Sequence, residues 1–447
     1  MLSVEPFLTA YDPSDLPGGS IDPLGFERGY LFLAERILPG MTSAASKPRY
    51  LSLLCAAILI SDREASKDVY ENPRAQYERR ELAIMRMERF WALACVLASK
   101  DEEGFETSGI RGVQDAQRAA RKLLEKEETE TDATFRLLAR QTQYGLIGIY
   151  ANVAERLMLI ERKTLRLSSS PGTELGQAFL VETDVPKALK EAVARGGEVK
   201  VKTLTAWGKR AHVSGGFGQN EGKWLRSALE DDAPVRRRMA DLLRRTPLLE
   251  VEGGESELAR LARIEAAIEG EEGEQDLCDA LRAIRSYEAC FRLCLLVFYR
   301  MLWFAKEKTP ALSLDEVGSD EVVVASHAAL CEHGQKLWAA YEGSSLVQHM
   351  DLERMAEPVL FVKRLVECGS SLEFARGILN RHRDVQQSKR DGGRPKMPWI
   401  EVVEGRLRRT LAVSQGIDFE PVNVEQMAAH IYRTAAVDNF RIGSVGQ

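Results

Sequence analysis

No two cysteines in this sequence have the C-x-x-C spacing, although seven are present: Cys55, Cys95, Cys278, Cys290, Cys294, Cys331 and Cys368. Zinc ribbons and thioredoxin-like redox sites need that spacing, so neither is expected. The count is odd and most of the seven lie in apolar stretches, as reduced, buried thiols do in a cytoplasmic protein. The patterns GxxxxGK[ST], GxSxG and HExxH are also missing. Their absence removes the P-loop, the α/β-hydrolase elbow and the zincin helix from consideration. Histidines are few: His212, His327, His333, His349, His382 and His430. His327 and Cys331 share a helical face, but His333 lies off it, so no metal site is expected. No cofactor signature remains.

Long apolar runs are lacking too. The most apolar segment, 290–305, is interrupted by Arg292 and Arg300. A membrane span needs about 20 predominantly apolar residues. The segment reads as a buried helix, and no membrane partner is expected. Residues 1–20 have neither a basic start nor an apolar core, so they do not read as a signal peptide.

What is present is helical periodicity. Of 447 residues, 45% are hydrophobic and 29% are charged, which is ample material for more than one core. The net charge is −6, which excludes a globally basic nucleic-acid coat but leaves room for local patches. Apolar residues recur at helical spacing from Phe26 to Ile37, and the run 51–60 is apolar on nearly every face, so it should be central. Further helices are expected over 78–99, 113–126, 131–143, 147–160, 171–180, 186–194, 221–229, 234–245, 258–269, 277–306, 322–341, 350–366 and 372–387. A short strand is expected at 164–167, a loop or linker at 389–398, and β-like pieces at 400–403 and 407–413. A last short helix is expected at 427–432. The fold class is therefore mainly α, with several domains and minor β structure near the C-terminus. The expected organisation is a helical domain over 1–126, a winged-helix-like segment over 127–195, a helical domain over 196–388, and a basic linker with a small mixed region over 389–447.

The winged-helix expectation rests on the order helix, turn, helix, hairpin, helix between Thr131 and Leu180. In such a module Arg140, Gln143, Tyr144, Asn152 and Lys163 could contact phosphates or base edges. Winged helices also serve as packing modules. Here Gly172 follows Pro171 one place earlier than the usual post-wing stretch has it. A second candidate is the basic stretch 376–396, with Arg376, Arg381, Arg383, Lys389, Arg390, Arg394 and Lys396 against Asp384 and Asp391. Such a patch can neutralise phosphates and release counterions, and the alternative is a solvated helix end. The stripe Arg237, Arg238, Arg244 and Arg245 reads as a solvated face, and Gly215-Gly216-Phe217-Gly218 as a flexible turn rather than a phosphate loop.

Three stretches carry a resemblance. They are Asp22-Pro23-Leu24-Gly25 with Leu38-Pro39-Gly40 and Pro48-Arg49-Tyr50, the segment 144–179, and Pro398-Trp399 with His430-Ile431-Tyr432-Arg433. The combination resembles uncharacterised bacterial proteins of anti-phage defence or mobile-element gene clusters. The resemblance implies intracellular action within a multi-subunit setting and brings no catalytic residues. The expected function is a non-catalytic helical subunit that binds double-stranded DNA and works beside other protein subunits. The alternatives are a protein-interaction scaffold or oligomeric adaptor, and an enzyme with an unrecognised site.

Overall fold

The structure is a computed structural model that describes residues 22–64, 72–251, 254–308, 310–343, 352–391, 393–410 and 419–442. The fold is mainly α, and among the described residues the strands form short two-stranded pairs. Among the described residues no helix is long and apolar enough to cross a membrane. All seven cysteines are free, and five of them are buried.

The chain divides into two compact units that are discontinuous in sequence. One comprises the chain up to Leu38 together with Arg245–Tyr432; the other comprises Pro39–Arg244 together with Arg433 onward. Positions 126 and 195, expected as domain boundaries, fall inside the second unit, and position 388 falls inside the first.

The centre of the second unit is helix Arg49–Arg63, buried from Arg49 through Ser61 as its apolar run requires. It packs on helix Pro73–Asp101 and on helix Gly172–Glu182. Asn72 opens the 73–101 helix: its side chain accepts from the Ala75 N–H at 2.9 Å, and Pro73 fills the first helical position. Two glycines set the spacing of these layers. A Cβ on Gly176 would come within 2.9 Å of the Cys55 carbonyl, and one on Gly208 would run into the Ala94 carbonyl. Helices 172–182 and 201–210 therefore bring their own backbone against their neighbours, and larger residues would push them apart.

The helix expected over 131–143 is not formed; only Gln141–Tyr144 is helical. The Asp132 carboxylate accepts from the Thr134 N–H and hydroxyl at 3.1 and 2.9 Å, and Ala133 adopts φ +52, a turn that stops a helix from starting. The second expected helix is a π-turn, Leu146–Tyr150, running into Ala151–Arg156. Buried Glu88 organises this irregular segment, accepting from Gln141 Nε2 at 2.8 Å and from the Leu146 N–H at 3.0 Å. The hairpin that follows does form, Ile160–Glu161 pairing with Arg166–Leu167. The segment thus lacks the first helix of a helix-turn-helix.

The first unit is organised around helix Gln275–Glu307, largely buried over 290–304 and packed along its length against helices Glu27–Ile37, Glu257–Ile268, Glu321–Gly343 and Ser371–Ser388. Arg300, one of the two charges that interrupt the apolar run, is neutralised by Asp320 at 2.9 Å and Glu420 at 2.5 Å. The expected linker 389–398 is instead a paired hairpin, Arg390–Asp391 against Arg394–Pro395. The β pieces beyond it form a second hairpin, Ile400–Val403 against Arg406–Arg409, and positions 411–413 lie outside the described residues. The helix expected over 427–432 is absent. A 3-10 turn, Val424–Gln426, leads into non-helical chain pinned to Glu288, and the last helix is Thr434–Ile442 in the other unit.

Candidate nucleic-acid interface

Helix Ser371–Ser388 starts at Ser370, whose hydroxyl accepts from the Glu373 N–H at 3.2 Å. Phe374, Ala375, Ile378, Leu379, His382 and Val385 form its buried face. The opposite face carries Arg376, Asn380 and Arg383, spaced four and three apart and all exposed. Arg376 and Arg383 therefore stand about 10 Å apart along the axis. Between this stripe and the 400–409 hairpin lies a groove of about 460 Å³. Arg376, Asn380, Arg383, Pro398, Ile400 and Val402 line it, together with Asp315 and Glu401.

Charge is concentrated here. Residues 371–410 hold ten Lys or Arg against five Asp or Glu, in a chain whose net charge is −6. Arg390 and Arg394 are exposed on the 390–395 hairpin, and Arg408 is exposed on the next one, 3.9 Å from Glu401. Lys396 is half-buried, and its N–H donates to the Lys389 carbonyl at 3.1 Å.

Two residues expected in this patch are turned inward. The Arg381 guanidinium donates to the Leu24 carbonyl at 2.7 Å, pairs with Glu357 at 2.7 Å and lies 5.1 Å over the Phe361 ring. Lys389 Nζ donates to the Asp22 carbonyl at 2.5 Å. Between them His382 donates from Nδ1 to the Pro23 carbonyl at 2.9 Å, while its Nε2 accepts from the Trp399 N–H at 2.8 Å. Three consecutive carbonyls, Asp22 to Leu24, are thus each held by a different side chain of this one segment. Asp22 completes the loop, its carboxylate capping the N–H groups of Leu24, Gly25 and Glu27. Arg381 and Lys389 anchor this loop and are not free for phosphate.

Burial holds the His382 pKa down at about 4, and both ring nitrogens are committed to a neutral tautomer. A histidine lowered in the folded state contributes stability above its unfolded value, near 6.5, and loses it as pH falls through the folded value. The first unit should accordingly lose about 3 kcal/mol between pH 6.5 and 4 from this group. An NMR titration of the imidazole with a midpoint near 6.5 would contradict this.

No family model, curated protein or solved structure matches this chain. The remaining expected contacts are in the second unit. Arg140 and Lys163 are exposed, and Gln143, Tyr144 and Asn152 are half-buried. Among the described residues the Arg140 side chain reaches Gln143, at 3.4 Å; the Tyr144 carbonyl takes the Arg111 Nε at 2.8 Å; Asn152 takes Arg162 at 3.5 Å. The five lie along the irregular 140–163 segment without a recognition helix to present them. Arg376 and Arg383 belong to the expected basic stretch, and they are exposed where Arg381 is turned inward. The signal that separates them from Arg381 is their seven-residue spacing, with Asn380 between, on the face opposite Phe374 and Ile378.

Proposed function

We propose that the first unit binds double-stranded DNA through the groove between helix 371–388 and the 400–409 hairpin. The observation that carries this reading is the exposed stripe Arg376, Asn380 and Arg383 beside a hairpin bearing Arg390 and Arg394. The arginines contact phosphates, and Asn380, the neutral amide of the stripe, is placed to reach a base edge. Asp315 and Glu401, which line the same groove, repel phosphate and so restrict where a strand can lie. In this reading the chain works beside other subunits, as the resemblance to bacterial proteins of anti-phage defence or mobile-element gene clusters implies.

Duplex binding followed by fluorescence anisotropy should weaken steeply with added salt. Reversing charge at Arg376 and Arg383 should lower affinity at every salt concentration and reduce the log–log salt slope by about one for each phosphate no longer neutralised. Reversal at Arg390 and Arg394 should do the same. Arg381→Glu is the wrong test, because it releases the Asp22–Phe26 loop. A full-length protein that binds no duplex at low salt, or an Arg376→Glu/Arg383→Glu variant that binds as tightly as the parent, would remove the reading.

A further inference from the structure

The glycine-rich turn of the second unit holds a serine–histidine pair that DNA binding does not use. His212 is fully buried, and its ring lies between two hydroxyls. Nε2 is 3.2 Å from Ser99 Oγ, and Nδ1 is 2.8 Å from Ser214 Oγ. The proton positions follow from one further bond. Ser99 donates its hydroxyl proton to the Cys95 carbonyl at 2.9 Å, so towards His212 it can only accept. Nε2 therefore carries the hydrogen, and Nδ1 carries the lone pair, which accepts from the Ser214 hydroxyl and, at 3.3 Å, from the Ser214 N–H. This is the arrangement of a base bonded to a nucleophile and oriented by a third group.

The surroundings fit that chemistry. Ser214 is exposed while its base is enclosed. The base cannot shift, because Arg49 holds the His212 carbonyl at 2.8 Å, Phe105 packs on the ring at 4.8 Å, and Trp91 fixes the preceding carbonyl, that of Ala211, at 2.6 Å. Burial and the nearby Arg49 charge lower the His212 pKa, which keeps the ring neutral and able to take a proton. The N–H groups of Gly216 and Phe217, next along the turn, have no backbone hydrogen-bond partner among the described residues. An oxyanion formed at Ser214 would need donors of this kind within hydrogen-bond reach. The neighbouring helix start is not free, since Glu182 already accepts from the N–H groups of Asn220 and Glu221.

We propose that Ser214 is an activated nucleophile that attacks carboxylic esters or thioesters, with His212 as its base and Ser99 as a positioning residue. Ser214 Oγ forms a bond to the acyl carbon as its proton passes to His212 Nδ1. The alkoxide or thiolate then leaves and takes that proton. Water attacks the acyl-serine in the reverse sense, giving its proton to Nδ1, and Ser214 recovers it as the acid departs. The net reaction is hydrolysis, and it needs no other reactant.

The test uses a fluorophosphonate probe on the full-length protein, in which Ser214 Oγ displaces fluoride from phosphorus. Intact mass should show one adduct per chain, peptide mapping should place it on Ser214, and Ser214→Ala should abolish it. Ser214 is exposed, so this variant keeps the fold. His212→Gln should slow labelling about 100-fold, and Ser99→Ala should slow it while leaving circular dichroism unchanged. Absence of an adduct on the parent, or an adduct that persists in Ser214→Ala, overturns the proposal.

Discussion

Replacing Arg49 with alanine is expected to destabilise the second unit by about 3–5 kcal/mol. Arg49 and its partner Glu221 have side chains 2% and 0% exposed and pair at 3.0 Å. The guanidinium also holds the carbonyls of His212 and Gly216, at 2.8 and 2.5 Å, and lies 5.1 Å over the Phe217 ring. The variant leaves a carboxylate inside the protein without its counter-charge and strands two carbonyls of the glycine-rich turn. Arg49→Lys cannot repair this, because one ammonium cannot make the planar fork that reaches Glu221 and both carbonyls together. The double variant Arg49→Met/Glu221→Leu should recover much of the stability, since it removes both charges. Hydrogen exchange in helix 49–63 reads the outcome; unchanged protection in Arg49→Ala would refute it. The same variant should impair Ser214 labelling, because it frees the His212 backbone.

The first unit has a counterpart in Glu288, and Glu288→Ala is expected to cost a similar 3–5 kcal/mol, roughly. This carboxylate, 1% exposed, takes His430 Nδ1 at 2.6 Å, the Tyr432 hydroxyl at 2.7 Å and the His430 N–H at 3.2 Å. Tyr30 stacks on the His430 ring at 4.5 Å, and Phe291 packs on it at 4.1 Å. Burial alone pulls the His430 pKa down, but the Glu288 carboxylate outweighs it and holds the histidine above its ordinary value. A histidine raised in the folded state gives its full contribution below the unfolded value, near 6.5, and loses it as pH rises through the folded value. Stability of this unit should therefore decline on the alkaline side of neutrality, and Glu288→Gln should abolish that decline. Denaturant midpoints measured across about pH 6–9 would show it; parallel curves for parent and Glu288→Gln would contradict it. His382 weakens the same unit on the acid side, so two histidines limit its stability from opposite directions.

Much of the helical fold was legible in the sequence. The run 51–60 had no polar face to offer water, and the structure buries it completely. The 33-residue helix at 275–307 was visible because its apolar positions repeat at helical spacing through Arg292 and Arg300. The helix expected at 131–143 fails for a local reason: apolar spacing there fits a helix, but the Asp132 carboxylate captures Thr134 before one can start. Glu88, which organises the chain that replaces it, lies more than forty residues upstream, beyond any local pattern. The helix expected at 427–432 fails for a distant one, since the backbone and side chains there are claimed by Glu288 on another element.

The site was legible only as composition. In the sequence the patch is seven basic residues within twenty-one positions. Periodicity could assign Arg376 and Arg383 to one face of a helix, because that is a property of neighbours along the chain. Whether Arg381 and Lys389 reach solvent depended on where the Asp22–Phe26 loop comes to rest, more than three hundred residues away in sequence. Ser214 and His212 are two residues apart and looked like an idle turn, because the group that fixes the tautomer, Ser99, comes from another helix. Local repetition of apolar residues determined that the chain would be helical, since burial selects a face at short range. Tertiary contact alone decided which charges are buried anchors and which stay exposed, because the partner that neutralises a buried charge need not be near it in sequence.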